Sequence, residues 1–424
     1  MFKKISVIGL GYIGLTTAAM FASRKIEVVG VDINQVAVDT INQGKVHIVE
    51  PDLDMLVHAA VSEGYLRATT EPEEAEAYLI AVPTPFKNIE NNEIPEPDLF
   101  YIESASKAIA PKLKKGNIVI LESTSPVGAT ETMANWLREC RPDLTFPSKG
   151  YNEDVDINIA YCPERVLPGQ VVRELVLNDR LIGGISESCS DKAISLYKNF
   201  VTGKCIKTNA RTAEMAKLTE NSFRDVNIAF ANELSIICDQ LDINVWELIS
   251  LANRHPRVNI LSPGPGVGGH CIAVDPWFIV SKSPEDSRLI KAARVVNDYK
   301  PEWAKAKIHE LVLRFLKDHP EKHESDIKIG FFGISFKPDI DDLRESPALE
   351  IVKSCAERYQ CEKIVIEPNV SELPPFLLDN DVKLASDASD YNSLDLFVLL
   401  VDHKEFKEGK LILSEYVVDF KGVW

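Results

Sequence analysis

Short apolar runs alternate with segments of helical periodicity along most of the chain. The first 32 residues show the order strand, glycine turn, helix and strand, at residues 5–8, 9–14, 15–24 and 28–31. Three further strand-like runs come later, with helical stretches between them, at residues 77–82, 117–122 and 158–162. Strands that alternate with helices predict a parallel, doubly wound sheet.

The pattern changes near residue 208, where long helices replace the short strands. Helical periodicity covers residues 211–241, with Asn209 or Thr212 available as a cap, and returns at residues 287–319. Strand–helix alternation then resumes, in runs at residues 327–332, 348–359, 363–366, 394–401 and 416–420. We therefore predict an α/β protein with two Rossmann-like, doubly wound domains, residues 1–207 and 320–424, joined by a helical middle domain, residues 208–319.

The first glycine turn has the sequence pattern of a dinucleotide site. Gly9 permits the tight turn, Gly11 lets the backbone approach a pyrophosphate, and Gly14 lets the helix pack closely on the strand. The pyrophosphate would lie at the positive N-terminus of the helix. Asp32 ends the second strand, where a carboxylate binds the ribose 2′-hydroxyl and repels a 2′-phosphate. The pattern predicts NAD rather than NADP, the alternative being a glycine turn inside some other α/β fold.

Two later strand ends carry short polar residues that are further candidates for the cofactor. Thr84 and Thr124 come after predicted strands, and ligands of open sheets bind at the carboxyl ends of strands. Ordinary turn threonines are an equally good interpretation of these two positions.

A glycine-rich loop at residues 264–269 precedes Cys271. Glycines beside a cysteine expose backbone amides and remove bulk around the thiol, which suits a nucleophile that contacts its substrate. Asp275 lies one helical turn further on, on the same face. The alternative is a buried, inert cysteine, which is the commoner situation for cysteines in general.

Three polar residues lie on one face of the first long middle helix. Lys217, Asn221 and Arg224 are spaced by four and three residues, so that they form a candidate cradle for an anionic or hydroxyl-rich ligand. Neighbouring Phe223 and Phe230 lead us to expect a largely buried helix. A solvated helix face is the alternative.

Other charged residues stand at positions where ligands commonly bind. Arg254 and Arg257 lie within four residues and suit a phosphate, although a basic surface loop explains them equally well. Glu164 ends a strand, as a candidate base or orienting group. Lys337 and Arg344 come after the first strand of the C-terminal domain and would face a crevice.

The composition is that of a soluble globular protein, with 45% hydrophobic and 26% charged residues among 424. A net charge of −17 argues against nucleic acid and anionic membranes as partners. No apolar run approaches the roughly 18 residues of a membrane span, and we expect no secretion signal at the N-terminus. Eight cysteines without a CxxC pair predict reduced thiols and a cytoplasmic protein. Histidines without zinc spacing predict no metal site.

Six ordered motifs resemble the UDP-glucose/GDP-mannose dehydrogenase family over essentially the whole chain. They are GLGYIGL near the start, ESTSPVG at 122–128, CPERVLPG at 162–169, KLTENSFR at 217–224, GPGVGGHCIAVDP at 264–276 and FKPDIDDLRESP at 336–347. HPRVNIL at 255–261 and TAEMAKLTENSFRDVNIAFANELS are most similar to members that oxidise UDP-N-acetyl-D-mannosamine to the uronate. UDP-glucose, UDP-N-acetylglucosamine and GDP-mannose stay open as substrates.

The resemblance implies a role for each matching residue. Catalysis is implied for Cys271, Lys217, Asn221, Asp275 and Glu164. NAD contacts are implied for Gly9, Gly11, Tyr12, Ile13, Gly14, Asp32, Thr84, Thr124 and Arg344. Substrate contacts are implied for Arg165, Val166, Lys217, Asn221, Arg224, His255, Arg257, Gly268, Phe336 and Lys337.

The implied reaction is a four-electron oxidation of a primary alcohol, with the aldehyde held on Cys271 as a thiohemiacetal and then as a thioester. The resemblance also implies a homodimer formed through the middle domain. Two other functions are compatible with the motifs. One is a two-electron hydroxy-acid dehydrogenase without a covalent step, and the other is a non-catalytic module that senses NAD and a nucleotide sugar.

Overall fold

The computed structural model describes residues 2–48, 50–87, 94–148, 155–166, 169–269, 271–385, 390–407 and 414–424. These residues form two compact units. The first contains Met1–Glu220 and Trp277–Pro284, and the second contains Asn221–Pro276 and Glu285–Trp424. None of the helices in the described ranges is both long and apolar enough to cross a membrane.

The first unit is built on an eight-stranded sheet. Its strands are β1 (Lys4–Ile8), β2 (Glu27–Val31), β3 (Leu66–Thr69), β4 (Ala77–Ile80), β5 (Ile118–Leu121), β6 (Asn158–Tyr161), β7 (Arg180–Gly184) and β8 (Cys205–Asn209). They lie in the order β3-β2-β1-β4-β5-β6-β7-β8. Every neighbouring pair is parallel except β6 and β7, which are antiparallel. The order reverses direction at β1 and β4, as in a doubly wound sheet.

Helices cover both faces of this sheet. They are α1 (Tyr12–Ser23), α2 (Gln35–Asn42), α3 (Leu53–Ser62), α4 (Phe100–Ile109), α5 (Ala129–Cys140), α6 (Val171–Leu177) and α7 (Glu187–Tyr197). Successive strand side chains point to opposite faces, so Val7 joins the apolar cluster that contains Phe21, and Ile8 joins the cluster that contains Met133. Burial on both faces explains the uninterrupted apolar strands that the sequence shows.

The helix α8 (Ala210–Gln240) contributes residues to both units. Asn209 caps it, because its side-chain oxygen accepts a hydrogen bond from the Thr212 N–H at 2.9 Å. The expectation that this helix is largely buried is wrong. Phe223 is 68% exposed and Phe230 is 55% exposed. These apolar residues are in the part of α8 that belongs to the second unit, where their side chains are exposed.

The second unit combines long helices with a five-stranded sheet. Its strands are β9 (Lys328–Phe332), β10 (Glu362–Ile366), β11 (Val382–Leu384), β12 (Leu396–Leu399) and β13 (Val417–Asp419), in the order β11-β10-β9-β12-β13. All neighbouring pairs are parallel. The helices are α9 (Val245–Ala252), α10 (Asp275–Lys282), α11 (Arg288–Asp318), α12 (Pro347–Arg358), α13 (Pro375–Asp379) and α14 (Lys404–Lys407), of which α10 continues into the first unit.

The predicted fold class is confirmed, with two doubly wound α/β sheets and a helical middle. Several elements had no counterpart in the sequence pattern, namely β3, β7, β8, β11, α6, α7, α9, α10, α13 and α14. The domain boundaries at residues 207 and 319 stay a prediction.

Candidate active site

The turn after β1 has the geometry that a dinucleotide requires. Gly9 has a φ of +89°, and a Cβ there would lie 2.5 Å from the Ala81 carbonyl oxygen. A Cβ on Gly14 would lie 1.8 Å from the Gly9 carbonyl oxygen. A Cβ on Gly11 would meet nothing within 4 Å. Gly9 and Gly14 are therefore needed by the fold itself, whereas Gly11 leaves space above the turn.

The N-terminus of α1 and the end of β2 frame that space. Gly11 is the N-cap residue and has no side chain, so the positive end of the helix is not capped by its own N-cap residue. The carboxylate of Asp32 accepts hydrogen bonds from the Leu10 N–H at 2.8 Å and the Asn34 N–H at 2.9 Å. These bonds hold Asp32 beside the turn, while Tyr12 and Ile13, in the first turn of α1, are half-buried.

One buried hydroxyl in the same unit has no partner among the described residues. It is the Oγ1 of Thr84, in the segment after β4, which is inaccessible to solvent. Leaving a buried polar atom unpaired costs about 1–3 kcal/mol, so that such an atom indicates a missing partner. Thr124 comes after β5 at the same edge of the sheet and is half-buried. The unpaired hydroxyl, the open space at Gly11 and the fixed Asp32 all fit NAD.

The carboxylate of Glu164 is fixed from two sides. One oxygen accepts the Arg165 N–H at 2.8 Å, and the other forms an ion pair with the guanidinium of Arg180. Arg165 itself forms an ion pair with Glu220, with 2.6 Å between Nη2 and Oε1. Val166 packs against the apolar core of the first unit. Lys217 also belongs to this unit and is half-buried on α8.

Three of the predicted catalytic residues meet in the second unit. Asn221 donates from Nδ2 to the Asp275 carboxylate at 2.5 Å, and Asp275 is almost fully buried. The Asp275 N–H donates to the Cys271 carbonyl at 2.9 Å. Helix α10 begins at Asp275, so Cys271 lies one turn before it. The Cys271 residue is exposed and its thiol is not in a disulfide, so it is not the buried cysteine of the alternative interpretation, and its role as nucleophile stays a prediction.

The glycine loop before Cys271 packs too closely for side chains. A Cβ on Gly268 would lie 2.4 Å from the Glu345 carbonyl oxygen, and one on Gly269 would lie 3.1 Å from the Phe336 ring. The Gly264 N–H donates to the side-chain oxygen of Asn232 on α8 at 2.9 Å. The predicted substrate residues Gly268 and Phe336 are therefore in one place, beside the loop that leads to the cysteine.

The remaining predicted contacts lie on the surface of the second unit. Arg224, His255 and Arg257 are exposed, and His255 Nδ1 accepts the Arg257 N–H at 3.3 Å. Lys337 is half-buried, with its ammonium 5.9 Å from the centre of the Phe336 ring. Arg344, a predicted NAD contact, forms an ion pair with Asp342 in this unit, whereas the glycine turn belongs to the first unit.

Sequence reasoning missed two buried networks next to these residues. One joins Arg180 to Glu122 as well as to Glu164, and no local pattern distinguishes Arg180. The other joins Glu367, at the end of β10, to His403 with 3.1 Å between Oε2 and Nε2. The strand-end rule that identified Asp32 would have identified Glu367 too.

The sheet, the glycine turn and its strand-end acid define an NAD-dependent dehydrogenase. Comparison with known families confirms this. The NAD binding domain of the UDP-glucose/GDP-mannose dehydrogenase family matches residues 3–201, its central domain matches residues 211–299 and its UDP binding domain matches residues 330–424. The chain belongs to this family.

Individual relatives cover the whole chain. It is 61% identical over 425 residues to a UDP-N-acetyl-D-mannosamine dehydrogenase of Yersinia pestis, covering 100% of this chain and 99% of that protein. It is 59% identical to an NDP-N-acetyl-D-galactosaminuronic acid dehydrogenase of Ralstonia nicotianae, with 100% and 96% covered. The solved structure of a UDP-D-ManNAc dehydrogenase from Pyrococcus horikoshii has a TM-score of 0.85 and 38% identity, with 99% and 96% covered.

Proposed function

We propose that the protein oxidises UDP-N-acetyl-D-mannosamine at C6 to the uronate, with two molecules of NAD. The observation that carries this proposal is the exposed Cys271, which comes after a close-packed glycine loop and is hydrogen-bonded through its carbonyl to Asp275. Identity of 61% to dehydrogenases of that sugar supports the substrate. A relative at 59% named for another N-acetylated sugar shows that the sugar needs its own test.

The residues of the first unit would hold the cofactor. The open space at Gly11 and the N-terminus of α1 suit the pyrophosphate, Asp32 suits a ribose hydroxyl, and Thr84 offers an unpaired hydroxyl. Tyr12, Ile13 and Thr124 complete the proposed contacts of this unit, and the resemblance assigns one further contact to Arg344 of the second unit. Bound NAD supplies the hydride acceptor for each of the two oxidations.

The side chains of the helical middle would perform the first half of the reaction. Lys217, or a water beside it, accepts the proton of the C6 hydroxyl as the alcohol becomes an aldehyde. The Cys271 thiolate then adds to the aldehyde carbon, and the ammonium of Lys217 and the amide of Asn221 stabilise the oxyanion. Asp275 accepts a hydrogen bond from Asn221 and thereby fixes the orientation of that amide.

Hydrolysis of the Cys271 thioester would complete the reaction. Glu164 accepts a proton from the attacking water, the new C–O bond forms, and the C–S bond breaks to return the thiolate. Nucleotide and sugar contacts are assigned to Arg165, Val166, Arg224, His255, Arg257, Gly268, Phe336 and Lys337. Of these, Gly268 and Phe336 are in contact beside the cysteine loop.

We also propose that two copies of the chain associate through α8. Phe223, Phe230 and Ile237 repeat every seven residues, which places them on one face, and Leu241 lies one turn beyond them. All four are exposed in the single chain. An apolar stripe of this kind is typical of a helix that packs against its own copy. A cytoplasmic location is consistent with eight cysteines that form no disulfide in the described residues, of which Cys271 must stay reduced.

The test is a panel of UDP-N-acetylmannosamine, UDP-glucose, UDP-N-acetylglucosamine and GDP-mannose, assayed for NADH at 340 nm and for the acid product. We expect two NADH per molecule of UDP-N-acetylmannosamine. Cys271→Ser should abolish acid formation and keep NAD binding. Cys140→Ser removes another exposed thiol and should retain full activity.

Other outcomes identify the alternatives. One NADH per substrate indicates a two-electron dehydrogenase, and no NADH with any nucleotide sugar indicates a sensing module. Undiminished acid formation by Cys271→Ser would refute the covalent step.

A further inference from the structure

The antiparallel strand β7 places a charged residue at the carboxyl edge of the first sheet. Its register with β6 pairs Ala160 with Gly184 and Tyr161 with Gly183. Continued by three residues, this register sets Glu164 opposite Arg180, the first residue of β7. A parallel strand would begin at the opposite edge of the sheet. The reversal of one strand thus delivers Arg180 to the edge where ligands of open sheets bind.

Arg180 is buried between two carboxylates. It is 4% exposed and pairs with Glu164 through one guanidinium nitrogen and with Glu122 through another, at 3.3 Å. Its guanidinium carbon lies 4.3 Å from the centre of the Tyr197 ring. The Tyr197 hydroxyl donates to the same Glu122 oxygen at 2.5 Å. Arg180 therefore has one fixed orientation, and both carboxylates depend on it.

The charges of this cluster do not balance when both carboxylates are ionised. The side chain of Glu122 is fully buried, and its second oxygen has no hydrogen-bond partner among the residues that the structure describes. Burial raises the pKa of Glu122 to about 7, although Arg180 and Tyr197 oppose that rise. The thiols of Cys162 and Cys205 lie in the same neighbourhood, and burial keeps the pKa of each above its usual range. Near neutral pH, Glu122 is therefore the group of this cluster that exchanges a proton.

We propose that Arg180 and Glu122 are positioning residues that set how firmly the Glu164 carboxylate is held and oriented for thioester hydrolysis. This inference rests on the proposed function of Glu164. With Glu122 protonated, Glu164 is the only charged partner of the Arg180 guanidinium in this cluster, and the ion pair holds its carboxylate most firmly. With Glu122 ionised, the guanidinium is shared and a second negative charge lies nearby. The carboxylate of Glu164 is then held less firmly by Arg180 and is available to accept the proton of the attacking water.

The decisive variant is Glu122→Gln, which keeps the shape and the acceptor oxygen of the protonated acid. Stopped-flow NADH formation and acid-quenched intact mass spectrometry separate oxidation from hydrolysis, because a slow hydrolysis leaves the acyl adduct on the enzyme. We expect the variant to form its first NADH at the normal rate and to lose the rise of hydrolysis rate between pH 6 and 8. At pH 8 hydrolysis should be about tenfold slower, with the adduct visible.

Two further variants separate positioning from a purely structural role. Arg180→Lys should accumulate the adduct over the whole pH range. Asp225→Asn changes another buried carboxylate, paired with Arg294 at 2.6 Å in the second unit, and should leave the pH profile of hydrolysis unchanged. If Arg180→Lys fails to fold, Glu122→Gln decides alone.

The outcomes distinguish this inference from the function on which it rests. Glu164→Gln should trap the adduct. If it does, and Glu122→Gln hydrolyses with the normal pH profile, only the role of the buried cluster is refuted. If Glu164→Gln hydrolyses normally, the proposed role of Glu164 is wrong and this inference falls with it.

Discussion

The two sheets repeat one turn after their first strands. β1 ends before Gly9, with a φ of +89°, and β9 ends before Gly333, with a φ of +84°. Each glycine N–H donates to the last carbonyl of the neighbouring strand, Val31 at 2.8 Å and Ile366 at 2.9 Å.

The repeat extends to the acid at the end of the second strand. The residue after each glycine donates its N–H to that acid at 2.8 Å, Leu10 to Asp32 and Ile334 to Glu367. In each case the other carboxylate oxygen accepts the N–H of the residue two positions later in the chain, at 2.9 Å for Asp32 and 3.1 Å for Glu367. The glycine, the strand-end acid and the backbone hydrogen bonds that join them, which we call the backbone frame, are therefore the same in both units.

The two units differ in the segment between this turn and the next helix. Helix α1 begins three residues after Gly9 and no side chain caps it. In the second unit thirteen residues intervene before α12, whose cap Ser346 accepts the Leu349 N–H and whose first residue is Pro347. The N-terminus of α12 is thus capped by the residues that directly precede and begin it, Ser346 and Pro347. We call the first turn open, because its helix has no side-chain cap, and the second closed, because its helix is capped by Ser346.

The two acids differ in the same way. Asp32 is half-exposed, whereas Glu367 is buried against His403. His403 Nδ1 accepts the Asp339 N–H at 2.9 Å, so its Nε2 carries the proton and donates to Glu367. Glu367 therefore holds the loop between Gly333 and α12 in place, whereas Asp32 is placed to bind a ribose hydroxyl. That loop carries Phe336, which touches the cysteine loop. The same hydrogen-bonded turn can serve two purposes because the length of the following segment and the side chains around the acid differ between the units.

The largest effect should result from breaking the shared frame. Gly9→Ala and Gly333→Ala each force a Cβ into a left-handed backbone position, 2.5 Å from the Ala81 oxygen and 2.4 Å from Val401 Cβ. Strain and overpacking should lower the free energy of unfolding by about 2–5 kcal/mol in each variant. Thermal unfolding measures this loss.

The matched control is Gly11→Ala, whose Cβ meets nothing within 4 Å. It should unfold at the normal temperature and bind NAD more weakly, because the methyl group occupies the space above the turn. A normal unfolding temperature for either of the other two variants would contradict the equivalence of the frames.

Local patterns identified the first frame but not the second. The first frame lies within 24 residues, which include Gly9, Gly11, Gly14 and Asp32. Their spacing is typical of a strand, a glycine turn and a helix that are followed by a second strand. Gly333 lacks the two later glycines, and its partner Glu367 is distant in sequence, so no comparable spacing exists.

Local sequence patterns also could not predict an ion pair between residues of different strands or the exposure of one face of a helix. Arg180 approaches Glu164 only because β7 runs antiparallel, and a four- or five-residue strand carries no sign of its direction. Periodicity located the apolar face of α8 with Phe223 and Phe230. It could not show that the face would be exposed, since periodicity says nothing about what covers a stripe.

A smaller effect should result from changing the two acids without disturbing the backbone. Asp32→Asn replaces one acceptor oxygen by a donor, so one of its two backbone hydrogen bonds is lost and the ribose site is weakened. We expect the Kd for NAD to rise about 10- to 100-fold, which is about 1.4–2.8 kcal/mol. Glu367→Gln should leave that Kd unchanged and raise the KM for the nucleotide sugar instead.

Isothermal titration with NAD and steady-state kinetics with the nucleotide sugar give the two readouts.

The environment of Glu367 also predicts how the stability of the protein depends on pH. Burial raises the pKa of Glu367, but hydrogen bonds from His403 and the Ile334 N–H outweigh it and hold the pKa below its usual range. Glu367 thus contributes stability above its unfolded pKa that is lost as the pH falls through its folded pKa. In Glu367→Gln the loss of folding stability at low pH should be smaller than in the unchanged protein. Equal changes in NAD affinity for both acid variants would abolish the distinction between an open and a closed turn.

The smallest effect should come from His403, because it acts through the loop and touches no predicted ligand atom. His403→Asn keeps an acceptor near the position of Nδ1 for the Asp339 N–H, and His403→Gln keeps a donor near Nε2 for Glu367. Both variants remove a buried ring and should unfold at a lower temperature. Only His403→Gln loses the bond to the loop backbone, and a net hydrogen bond of about 0.5–1.5 kcal/mol corresponds to a rise of about two- to tenfold in the KM for the nucleotide sugar. The KM for NAD should stay the same in both. If the two variants raise the sugar KM equally, the bond to Asp339 does not position the loop, and the closed turn of the second unit serves stability alone.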